Sequence, residues 1–81
     1  MPAELCIPLQ LTPAQARAYL RWLAAQYRAG LQEHWWDDRY RTVPAGPLRR
    51  WRIHQDHPAL AAVADTARAL RAELRTLEQR P

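Results

Sequence analysis

The stretch LRRWRIHQ, residues 48–55, decides the fold, because its two large apolar residues admit two readings. Trp51 and Ile53 stand two apart among arginines, and that spacing puts both on one face of a strand. The stretch also follows Pro47, a residue suited to the first position of a helix, and is then one helical turn. The strand is the favoured reading, paired with the first segment of the chain. There Leu5, Ile7, Leu9 and Leu11 alternate with Glu4, Cys6, Pro8 and Gln10, the period-2 pattern of a half-buried strand. Pro8 has no N–H to give to a ladder, which makes this segment an edge strand or an extended arm. The expectation is a minor two-stranded β element over about residues 4–11 and 49–54.

The rest of the chain reads as helix. Thr12-Pro13-Ala14-Gln15 supplies an N-cap, a proline at the first helical position and a glutamine that completes a capping box. A helix follows over about residues 13–29. Gly30 is the natural stop, although one glycine costs only about 1 kcal/mol against alanine and the helix can run on to residue 36. TVPAGP, residues 42–47, is a loop. Asp56-His57-Pro58 gives a capping residue and a first-turn proline for a last helix over about residues 58–79. Its Leu60, Val63, Ala67, Leu70, Leu74 and Leu77 form an apolar seam at spacings of three and four. Ala16, Leu20, Leu23, Tyr27 and Leu31 cluster on one face of the first helix and are its mate. The expected fold is mainly α, two principal helices packed together plus the β element, in a single small domain over residues 1–81.

A domain of 81 residues buries only roughly 60% of the surface its unfolded chain exposes. One cysteine excludes an intramolecular disulfide, and no cysteine and histidine set has zinc-finger spacing. The first residues lack the pattern of a secretory signal. The longest apolar run, Ala59 to Ala64, is far below the roughly 20 residues that span a bilayer. A cytoplasmic protein with no membrane partner is expected. Lysine, asparagine, serine and phenylalanine are absent while alanine and arginine abound, the bias of GC-rich codons; a bacterial, phage or plasmid source follows. The net charge of +4 is carried wholly by arginine, with eight carboxylates among twelve arginines. Attraction to nucleic acid or to an acidic protein is one reading of that balance. A solvated surface written in arginine-rich codons is the other.

EHWWDDRYR, residues 33–41, carries the functional question. Neighbouring residues point about 100° apart in a helix and to opposite faces in a strand, so Trp35 and Trp36 cannot enter one side of one core. If the first helix passes Gly30, Trp35 lies at the edge of the core and Trp36 joins the side of Trp22. That side is a second apolar stripe, Ala18, Trp22, Ala25 and Ala29, which either the N-terminal arm, the Trp51 segment or a partner must cover. Trp, Tyr and Arg dominate binding energy at protein interfaces, so the candidate partner-binding residues are Trp22, Trp36, Arg39, Tyr40 and Arg41. An alternative nucleic-acid surface uses Arg17, Arg21, Arg28, Arg49, Arg50 and Arg52. Glu33, Asp37 and Asp38 would repel a phosphate chain and favour a basic protein partner. The expected role is a small protein-binding regulator or inhibitor, of a kind that phages and mobile elements encode.

Catalytic signatures are missing from the sequence. His34 and Asp38 are four apart, and His54, Asp56 and His57 form a second cluster, but neither has the spacing of a metal site. Cys6 has no neighbouring base, serine chemistry has no serine, and two glycines make no phosphate loop. No enzyme activity, metal or cofactor is expected. The C-terminal seam also permits a homodimer, antiparallel before parallel, because a parallel zipper sets Glu73 against Glu78 of the other chain.

Overall fold

A computed structural model describes residues 4–80 of the chain, so the ends of the expected domain, residues 1–3 and 81, lie outside the described residues. Three helices, α1 (Pro13–Trp35), α2 (Pro47–Asp56) and α3 (Pro58–Glu78), are joined by a 3-10 turn over Asp38–Tyr40 and a loop. The capping box of α1 is present: Gln15 N–H donates to Thr12 Oγ1 at 3.1 Å, and Thr12 N–H donates to Gln15 Oε1 at 2.9 Å. All three helices begin on proline, which lacks the N–H that a first turn leaves unpaired. Gly46 precedes α2 at φ +122°, a conformation open to glycine and strained for other residues.

The expected β element is absent: no strand occurs among the described residues. Residues 48–55 are helical from Pro47 onward, not a strand. Arg49 and Ile53, four apart, are the residues that turn inward, at 7% and 0% exposure, while Trp51 stays half exposed. The Trp51–Ile53 spacing was therefore misleading, because in a helix those two point about 200° apart. Without a second strand the N-terminal segment has no ladder to join, and Leu5, Ile7 and Leu9 lie in the open. The principal helices number three, and Asp56 ends α2 where it had been read as the cap of α3; His57 stands at that N-cap with no side-chain hydrogen bond.

Gly30 does not stop α1, which continues to Trp35. A Cβ placed on Gly30 would stand 2.7 Å from Leu60 Cδ1, so the glycine is a notch into which α3 packs. The α1–α3 pair is antiparallel, with Arg17 near Glu78 at one end and Gly30 on Leu60 toward the other. Ala16, Leu23, Ala67 and Leu74 are buried along their contact, as the two apolar faces require. Helix α2 packs against both at the Trp35 end, with Ile53 inside. The assembly is thin, 18 Å in its shortest extent. No helix of the described residues is long and apolar enough to cross a membrane.

Candidate functional site

The end of α1 is held by a buried arginine. Arg49 Nε and Nη2 donate to the Val43 carbonyl at 3.1 and 2.7 Å, and Nη1 donates to the Trp35 carbonyl at 3.2 Å. The guanidinium lies 5.3 Å from the centre of the Trp35 ring and 5.9 Å from that of Trp36. No carboxylate pairs with it among the described residues. Its charge is met by two carbonyls, by the negative end of the α1 dipole and by two ring faces. Arg49 is thus a structural brace and is withdrawn from any phosphate.

Two more contacts fix the same corner. Tyr40, 1% exposed, donates its hydroxyl proton to Asp56 Oδ2 at 2.8 Å. Burial, and then the adjoining Asp56 carboxylate, push the Tyr40 hydroxyl above the ordinary tyrosine range. His34 of α1 stacks on His57 at the α2–α3 junction, ring centres 3.8 Å apart. His54 Nε2 lies 2.8 Å from Tyr27 Oη in a hydrogen bond; burial raises the Tyr27 hydroxyl, partly offset by the charges of Arg50 and Arg68. The histidines weighed as metal ligands are engaged with rings and a hydroxyl, and no group of three His, Cys, Asp or Glu side chains gathers among the described residues.

Against this braced corner stands a face that the protein leaves bare. Ala18, Trp22, Ala25 and Ala29 are all exposed, and Trp36 beyond them is 74% exposed. Neither residues 4–11 of the arm nor α2 covers the stripe. Tyr19 stacks on Trp22 with ring centres 6.0 Å apart and planes 18° from parallel, which widens the apolar patch at that end. Trp22 and Trp36 stand fourteen residues apart, about 21 Å along the axis, with alanines between. Trp35 and Trp36 divide as adjacency demands: Trp35 is partly buried and Trp36 faces outward.

The remaining candidates separate. Arg39 and Arg41 are exposed in the turn that follows Trp36, Arg39 within 3.9 Å of Asp37, whereas Tyr40 is inside and positions the turn. Of the arginines assigned to the nucleic-acid alternative, Arg17, Arg21, Arg28 and Arg50 come to one face. Arg52 instead sits 3.8 Å from Asp56. Arg68, Arg71 and Arg75 of α3 join that basic face and were missed in the sequence, although their spacing of three and four marks one helical side. Comparison with family models, curated proteins and solved structures found no match, so function has to be read from the surface itself.

Proposed function

We propose that this protein is a small regulator or inhibitor that binds another protein through the bare side of α1, with Trp22 and Trp36 as anchors. One observation carries the reading: an apolar stripe bearing two tryptophans is left uncovered in a chain too small to spare apolar surface. Rings of this kind seated in a partner's pockets are worth 2 kcal/mol or more each, on the order found at interface hot spots. The alanines between them let a partner approach the backbone closely. Arg39 and Arg41 at one end, with Glu33, Asp37 and Asp38, form a charged rim of mixed sign that suits a partner with its own basic groups.

The test is capture of a partner from a host lysate with and without nuclease treatment, using the wild-type protein and Trp22→Ala side by side. A protein retained by the wild type and lost by the folded variant supports the proposal. Recovery of nucleic acid alone overturns it.

A further inference from the structure

We infer that the arginine-lined side of the α1–α3 hairpin, next to the tryptophan stripe, is a second binding groove, built for an acidic amphipathic helix of a partner protein. The walls come from three elements. Arg17, Arg21 and Arg28 line the α1 side, and Arg68, Arg71 and Arg75 line the α3 side. Helix α2 closes one end with Arg50 and His54, the latter tied to Tyr27. Two hollows of about 310 and 410 Å³ follow one another along the helices and share Arg71.

Charge decides the sign of the occupant. Seven arginines face this groove, and the carboxylates beside it are Glu78, near Arg17, and Asp65, paired with Arg68. No carboxylate pairs with Arg21, Arg28, Arg50, Arg71 or Arg75 among the described residues. Concentrated like charge of this kind raises the local concentration of an anionic ligand. A second copy of the chain, itself net positive, is a poor match.

The floor decides the class. Between the arginines lie Leu20, Ala24 and Ala64, each partly exposed above the buried Ala67 and Leu74, an apolar strip that a phosphate backbone would leave uncovered. Base stacking needs an open ring, and the two rings in the groove, Tyr27 and His54, are partly buried and hydrogen-bonded to each other. An amphipathic helix meets both demands, its apolar side on the strip and its carboxylates reaching both banks. The distance from Arg17 to Arg28 is eleven residues, about 16 Å or three helical turns, and the trough between two packed helices accepts a third.

The experiment uses the full chain and a labelled 14-residue peptide with leucine and alanine on one face and glutamate on both flanks. Its controls are the same composition in scrambled order and a single-stranded oligothymidylate of equal length. In physiological salt the helical peptide should bind at least tenfold tighter than either control. Arg21→Gln with Arg71→Gln should weaken it at least tenfold, as should Arg28→Gln with Arg68→Gln, each with unchanged circular dichroism. Trp22→Ala should leave it unaltered, which keeps this surface separable from the tryptophan face. Failure of the peptide to bind, equal binding of the scrambled peptide, tighter binding of the oligonucleotide, or insensitivity to both arginine pairs overturns the inference.

Discussion

Arg49 reaches from α2 to the last carbonyl of α1, donating to Trp35 O at 3.2 Å while its guanidinium stands 5.3 Å from the centre of the Trp35 ring. One side chain thereby caps a helix and closes the Val43 loop. Arg50, its neighbour, is exposed and does none of this.

Replacing the two arginines in turn should separate brace from surface. Arg49→Met leaves the Val43 and Trp35 carbonyls without their donors and should cost about 2–3 kcal/mol, a large share of a small domain's stability. Arg50→Met should cost under about 0.5 kcal/mol, as surface changes do. Urea unfolding of both variants checks the contrast, and equal losses would refute it.

Gly30 and Leu60 should behave as a coupled pair. Alanine gains about 1 kcal/mol over glycine within a helix, but its Cβ meets Leu60 Cδ1 at 2.7 Å. Gly30→Ala should therefore stabilise a Leu60→Ala background by about that amount and help the native chain less, with a coupling energy of about 0.5 kcal/mol or more. Identical effects in the two backgrounds would show that the notch is not a packing contact.

These two pairs also mark what the sequence could reveal. The helix-on-helix core and the Thr12 capping box were legible, because seams at spacings of three and four and a cap signature are local. Gly30 was ambiguous because a stop and a notch look alike until Leu60 is placed against it. Residues 48–55 misled because Trp51 and Ile53 imitate a strand, while the residues that turn inward, Arg49 and Ile53, include a charge that no pattern of apolar residues selects. The outward stripe of α1 was visible as a pattern; its exposure depended on where the arm and α2 went.

Alkaline stability should report on Tyr40. Its hydroxyl is raised above the ordinary value by burial and by Asp56. Below about pH 10 both native and unfolded chains keep the proton, and the Tyr40 contribution is whole. Above that the unfolded chain releases it while the native one holds it, so stability falls as pH rises through the native pKa. Tyr40→Phe should flatten this alkaline fall, and at neutral pH it should cost about 1–2 kcal/mol through the lost Asp56 hydrogen bond. Chemical unfolding followed from neutral to alkaline pH decides the point; an undiminished fall in the variant contradicts it.

The central claim, that α1 keeps its tryptophans outward to hold a partner, is tested most directly by measuring thermal stability and partner capture together on Trp22→Ala, Trp35→Ala and Trp36→Ala. Trp35→Ala should lower the melting temperature most, because its ring is partly buried as well as packed on Arg49, whereas that of Trp36, also near Arg49, is 74% exposed. Trp22→Ala and Trp36→Ala should melt within a few degrees of the wild type, a shift of roughly 1 kcal/mol or less for a domain of this size, and should no longer retain the partner. If Trp22→Ala and Trp36→Ala both unfold the protein, or if both stay folded and bind the partner as the wild type does, the tryptophan face is not the interface.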